Sequence, residues 1–203
     1  MLYAAGVVRE RGFQAEVRAL LRDRLLDAAA DITCAEGWAA VTMSRIAERV
    51  GVSRQSVHKE VGTKQALGEA LVTREADRFL DGIETRLREH PGDPVTGVAS
   101  AVEYTLRTGA DNPLLKAILA APHPGADELL PLLATRPEPV LRRAVTAVLG
   151  YVRQQYPELA ERDPGPLVDA VVRLTLSHLA QPLGPAEDAI AQVRRIAGLW
   201  LSA

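Results

Sequence analysis

The chain has 203 residues, of which 47% are hydrophobic, 25% charged and 4% aromatic, with a formal net charge of −2. That length buries a substantial core in one domain or two small ones, and a core built from Leu, Val, Ala and Ile rather than rings favours helices. The near balance of charge excludes a protein that coats nucleic acid without regard to sequence, and a single cysteine excludes an intrachain disulfide.

The charge is unevenly placed. Residues 1–64 hold ten Lys or Arg against eight Asp or Glu, a balance of +2, whereas the remainder carries fourteen against eighteen, a balance of −4. The sign suits an N-terminal part that meets DNA and a remainder that does not. Cys34 is expected to be a small buried apolar residue rather than a redox sensor. The first residues have their charges after the apolar stretch, unlike a signal peptide, and no apolar run approaches a membrane span, so a cytoplasmic protein is expected.

Residues 1–13 have no convincing cap or periodicity and are predicted to be a flexible arm. From 14 to 36 the spacing of Val17, Leu21, Leu25, Ala28, Ala29 and Ile32 is helical, with Gly37 as the stop. Trp38, Val41 and Met43 follow as apolar plugs. Residues 42–61, TMSRIAERVGVSRQSVHKEV, then read as two short helices joined by a tight turn. Thr42 and Ser53 are placed to cap them, Ala47 is small where they cross, and Gly51 supplies a positive φ at the turn. Their apolar residues fall at Ile46, Ala47, Val50, Val52, Val57 and Val61. Ser53, Arg54, Gln55, Ser56, His58 and Lys59 are left projecting, groups able to reach base edges and phosphates. This is the layout of a helix-turn-helix, and residues 14–63 form the predicted DNA-binding domain.

Gly62 and Thr63 open a long helix predicted over 64–90. Its first turns face the N-terminal core through Leu67, Ala70 and Leu71, and Ala76, Phe79, Leu80, Ile83 and Leu87 continue the stripe beyond it. The PGDP sequence at 91–94 ends it. Helices are predicted at 94–108, 112–121, 126–135 and 138–156, with five prolines between Ala121 and Pro139 breaking that region into short pieces. Two further helices, 166–180 and 185–201, close the chain. Both are apolar on more than one side and call for cover from a second copy. The expected homodimer interface comprises Leu167, Val171, Leu174, His178, Val193, Ile196 and Trp200. The fold class is all-α, with residues 64–203 as a helical dimerisation domain, to which the resemblance named below adds effector binding.

His58, His90, His123 and His178 show no HExxH or paired Cys/His spacing, so neither a metal nor a cofactor is expected. No catalytic motif is present, and the chain is read as a non-enzyme. The residues alone also admit a helical ligand- or protein-binding module whose helix-turn-helix serves packing and does not bind DNA.

Residues 25–71 resemble the DNA-binding domain of the TetR family of transcriptional regulators. The matching features are an Ala-rich helix followed by Glu36-Gly37-Trp38, then Thr42 with Ile46-Ala47 and Val50-Gly51-Val52-Ser53. Gly62-Thr63-Lys64 with Leu67 completes them. The resemblance implies a ligand-responsive repressor of double-stranded operator DNA. It implies phosphate contacts from Thr42, Lys64 and the Lys59 region, and base-edge or backbone contacts from Arg45, Arg54, Gln55, Ser56 and His58. Ser44 and Ser53 belong to the same surface. Family members commonly carry aromatic residues at the positions of His58 and Lys59 and Phe at that of Val61. Lys59 in place of a hydroxyl contact is expected to raise salt dependence.

The resemblance also implies a small-molecule pocket in the C-terminal domain whose occupancy changes the separation of two reading heads. The Leu, Val and Ala of that domain suit a small apolar effector, lipid-like or acyl, with Tyr104 and Tyr151 as candidate contacts.

Overall fold

A computed structural model describes residues 3–119 and 138–202, and the helix expected at 126–135 and His123 lie outside them. The described residues form nine α-helices: α1 (Tyr3–Glu36), α2 (Met43–Val50), α3 (Arg54–Val61), α4 (Lys64–Arg88), α5 (Pro94–Asp111), α6 (Pro113–Leu119), α7 (Glu138–Gln155), α8 (Gly165–Ala180) and α9 (Ala186–Ser202). Two short 3-10 turns, Trp38–Ala40 and Pro157–Arg162, were not expected from the sequence pattern.

The expected arm at 1–13 is corrected: from Tyr3 it is the opening of α1. The segment holds no proline, and its two glycines each cost only about 1 kcal/mol in a helix that good formers continue on the C-terminal side. The predicted stop holds, since Gly37 has φ 82° and its N–H donates to the Thr33 carbonyl at 2.9 Å.

The N-terminal core gathers Leu25, Ala29 and Ile32 of α1, Ile46 and Val50 of α2, Val57 and Val61 of α3, and Leu67 and Leu71 of α4. Trp38, Val41 and Met43 are buried as the plugs predicted. Leu25, Ile46, Val57, Leu67 and Leu71 are fully buried, and burying such a side chain contributes about 1.5–3 kcal/mol each. The pairs Arg49–Asp31 at 2.9 Å and Arg18–Glu60 at 3.7 Å sit at the rim and contribute at most about 1 kcal/mol apiece. Apolar packing therefore holds this domain together.

Helix α4 leaves that core and enters a second one. Leu80 and Leu87 are buried farther along it, and α4 packs against α5 and α7. Gly92 turns at φ 74°, Asp93 caps α5 by accepting from Thr96 N at 3.0 Å, and Pro94 supplies the first turn. Helix α5 is the central strut, lying between α4 and α9 with Gly97, Ala99, Ala101 and Gly109 buried where neighbours approach closely. Tyr156, fully buried, aims its hydroxyl at the Leu87 and His90 carbonyls at 3.0 and 3.1 Å, which fastens the end of α4. A Cβ on Gly97 would stand 2.0 Å from that hydroxyl oxygen.

Helix α6 reaches back toward the first core. Asn112 caps it, accepting from Leu115 N at 2.9 Å, and Leu114 is buried among the α1 residues. No helix among the described residues is long and apolar enough to cross a membrane.

Candidate nucleic-acid interface

The helix-turn-helix is built by its caps. The Thr42 hydroxyl accepts from Arg45 N at 3.2 Å, that of Ser53 from Ser56 N at 3.0 Å, and that of Thr63 from Ala66 N at 3.1 Å. Each satisfies an N–H that a helix start would leave bare, an effect worth about 1 kcal/mol. Gly51 sits in the left-handed region at φ 78°, ψ 36°, and its N–H returns to the Ala47 carbonyl. That turn lets Ala47 and Val50 of α2 pack with Val57 and Val61 of α3 in one core.

The outer surface of α3 is polar. Arg54, Gln55, His58 and Lys59 are exposed, and Arg54, Gln55 and Lys59 make no ion pair or side-chain hydrogen bond among the described residues. Their donors are open to a partner. His58 donates from Nδ1 to the Gly62 carbonyl at 3.0 Å, which in a neutral ring leaves Nε2 as an acceptor. The half-buried Ser56 shares a 2.8 Å hydrogen bond with Ser53. Thr42 and Ser44 are both exposed at the start of α2, and Arg45 is half-buried.

Two cations have structural partners. Arg45 makes a two-pronged pair with Glu36, one prong at 2.9 Å, and donates to the Ala40 carbonyl at 3.1 Å. It braces the end of α1 against α2, and its hydrogen bonds hold the Glu36 carboxyl below the usual carboxylate range. The Lys64 ammonium lies over the Trp38 ring, 5.2 Å from its centroid, with the Ala39 carbonyl at 3.5 Å. Cys34 is exposed rather than buried, a correction to the sequence expectation. Partial burial, and then the charges of Asp31 and Glu75, push its thiol up, which keeps it in the unreactive protonated form.

In the C-terminal half a cavity of about 150 Å³ is lined by residues of α4, α5, α6, α7, α8 and α9 and of the Pro157–Arg162 turn. The α4 stripe recognised in the sequence, Ala76, Phe79, Leu80, Ile83 and Leu87, forms one wall. Val72 and Leu114 line it as well, and both are also buried in the N-terminal core. Sequence reasoning missed Glu75 and Asn112, the most polar side chains of the lining. A carboxylate beside the apolar stripe of α4 was the available signal.

Neither tyrosine named as an effector contact lies in this cavity. Tyr104 packs edge-on against Phe79 at 6.4 Å, in the space left by Gly82, while Tyr151 lines a separate open groove with Asp77, Arg142 and Arg143. Helical spacing does not say which neighbour a side chain meets. Of the expected dimer residues, Leu167, Val171 and Val193 are buried within the single chain, between α5, α8 and α9. Leu174, His178, Ile196 and Trp200 are half-buried, and His178 Nε2 donates to Gln192 Oε1 at 3.1 Å, linking α8 to α9.

Known proteins share this architecture. Residues 25–71 match the family described as bacterial regulatory proteins, tetR family, and residues 93–198 match the bacterial tetracyclin repressor, C-terminal domain. The HTH-type transcriptional regulator AlkX of Mycobacterium tuberculosis is 30% identical over 179 residues, covering 88% of this chain and 84% of that protein. Among solved structures, the TetR family repressor AlkX from Dietzia sp. strain DQ12-45-1b, implicated in biodegradation of n-alkanes, has a TM-score of 0.73 at 23% identity. It covers 88% of this chain and 97% of its own. The R. erythropolis transcriptional repressor QsdR has a TM-score of 0.62 at 22% identity, over 89% and 95% of the two chains. With the capped helix-turn-helix at one end and the matching helical domain at the other, the chain belongs to the TetR family of DNA-binding transcriptional regulators.

Proposed function

We propose that the chain acts in the cytoplasm as a homodimeric repressor released from its operator by a small apolar effector. The observation that carries this reading is the double role of Val72 and Leu114, which line the cavity and belong to the core of the DNA-binding domain. A molecule that fills the cavity presses on side chains that also position α1 and α4. Two recognition helices must stand about 34 Å apart to enter successive major grooves, so a small tilt of α4 spoils the match. A ligand that fits only the tilted arrangement shifts the population away from DNA.

The aliphatic lining favours an aliphatic effector, and the involvement of one structural relative in n-alkane biodegradation is in keeping with that character. For the dimer, the outer face of α8 and α9 offers Leu174, His178, Ile196 and Trp200, with Leu199 exposed at 66% beside them. On DNA, Thr42, Ser44, Lys59 and Lys64 serve phosphates. Arg54, Gln55, Ser56 and His58 face the major groove.

The test is a gel shift with DNA flanking the protein's own gene, with and without a medium-chain aliphatic compound. A specific shift that the compound reverses is the expected result. No specific shift with any genomic fragment would overturn the regulatory reading, and a shift indifferent to every aliphatic ligand would overturn the effector part.

A further inference from the structure

We infer that the ligand of this cavity is a hydrocarbon with no polar group, of about six carbons. This rests on the reading above that the cavity holds the effector, and it narrows the class of that effector. The surface of the cavity is apolar almost throughout, although Glu75, Thr105, Asn112 and Thr175 stand among the residues around it. Each of the four directs its polar atoms to another partner. Thr105 donates to the Ala101 carbonyl at 2.8 Å and Thr175 to the Val171 carbonyl at 2.8 Å. Asn112 accepts from Leu115 N at 2.9 Å and donates to Glu75 Oε2 at 3.3 Å, and Glu75 Oε1 accepts from Arg78 at 2.7 Å. What these residues turn toward the cavity is therefore carbon.

The main chain adds no polar contact. All of the lining but Asn112 and Leu159 lies within α-helices, whose N–H and C=O groups bond to one another along the helix axis. A buried water needs about two to four polar partners, and this lining offers no such set to a water or to a polar group of a ligand. A hydroxyl or carboxylate that entered would give up its hydration and gain no hydrogen bond in return, whereas every methylene that enters gains from burial. The volume of about 150 Å³ sets the size, since an aliphatic cavity of that order accommodates a benzene-sized molecule without rearrangement.

n-Hexane and 1-pentanol have the same count of heavy atoms and nearly the same shape, and they differ in one terminal group, methyl or hydroxyl. Both are titrated against the full chain, wild type and Ala144→Phe, with binding read from the rise in unfolding temperature as free ligand increases. Ala144 is on the cavity wall and half-buried, so a phenyl ring there fills the space from a position that is not closed on every side. For the wild type, n-hexane is expected to bind at least about tenfold more tightly than 1-pentanol, the discrimination that a buried hydroxyl without a partner imposes. In Ala144→Phe the binding of n-hexane is expected to be lost.

Binding of 1-pentanol to the wild type within about tenfold of n-hexane would overturn the hydrocarbon class while leaving the cavity as a ligand site. Undiminished n-hexane binding by a folded Ala144→Phe protein would place the ligand elsewhere and overturn the inference. If neither probe binds the wild type, the cavity reading itself fails and the inference with it. The wild-type comparison decides the class even if the variant does not fold.

Discussion

Arg74 of α4 reaches Asp27 of α1 across 2.9 Å, and this pair ties the helix that walls the cavity to the helix that backs the DNA-binding domain. The same guanidinium donates to the Asp23 carbonyl at 3.3 Å, and the next residue, Glu75, lines the cavity. Two consecutive residues thus serve the two ends of the proposed response.

The Arg74–Asp27 pair is costly as built, because Arg74 Nε and Nη2 are buried without a partner. Arg74→Met removes those unpaired groups together with the ion pair, so its stability is expected to stay within about 1 kcal/mol of wild type. Asp27→Ala leaves the guanidinium only the Asp23 carbonyl and is expected to cost about 1–3 kcal/mol. Urea unfolding of the two variants checks the ordering, and Arg74→Met is expected to blunt the effect of ligand on DNA affinity.

Ser53 holds the start of the recognition helix. Ser53→Ala is expected to lower unfolding stability by about 1 kcal/mol and to weaken DNA binding beyond that, since α3 loses its fixed entry. Ser53→Asp, which keeps a cap, is expected to restore stability and not affinity, because it sets a negative charge beside the phosphates. Thermal unfolding and gel shifts on the three proteins separate the two effects.

Lys59 and Arg45 are both cations on the helix-turn-helix, but their situations differ. Lys59 has no partner among the described residues, so Lys59→Ala is expected to leave folding unchanged and to reduce the salt slope of DNA binding by about 1. Arg45 is engaged with Glu36 and Ala40, so Arg45→Ala is expected to lower stability only slightly, as the loss of a surface pair does. Affinity measured from low to high salt, beside a melting curve, tests both.

Tyr156 gives the fold a sensitivity to alkali. Its hydroxyl is pushed up to about 12 from an ordinary 10.0, first by burial and then by the charges of Asp93 and Glu158. A group whose pKa is raised in the folded state contributes fully below pH 10 and loses that contribution as pH climbs to 12. The lost contribution is on the order of 2–3 kcal/mol. Urea midpoints at pH 9 and pH 11 are expected to fall farther for the wild type than for Tyr156→Phe.

Gly97 and Tyr156 should be coupled. Gly97→Ala drives a methyl to 2.0 Å from the Tyr156 oxygen, while the ring carbon behind it stands at 3.2 Å. The single variant is expected to cost about 1–3 kcal/mol as an overpacked site, and adding Tyr156→Phe is expected to recover part of that cost rather than add to it. A strictly additive double-variant cycle would contradict the close approach.

The N-terminal domain was legible in the linear chain because its determinants are local. A hydroxyl three residues before the N–H it accepts from, a glycine at a left-handed turn and a 3.6-residue stripe all act within a few residues, and Thr42, Ser53, Gly51 and the Leu25-to-Ile32 stripe stand where they were predicted. The α4 stripe was legible for the same reason, though not that it walls a cavity. What tertiary structure alone decided was which side chains meet across long separations. Glu75 and Asn112 lie 37 residues apart and pair at one end of that cavity. Tyr104 and Tyr151, chosen for their hydroxyls, face elsewhere, and Cys34, chosen as core, is exposed. Periodicity fixes that a face is buried. Only the packing of α4 through α9 against one another sets which residues that face touches, and therefore what the cavity can hold.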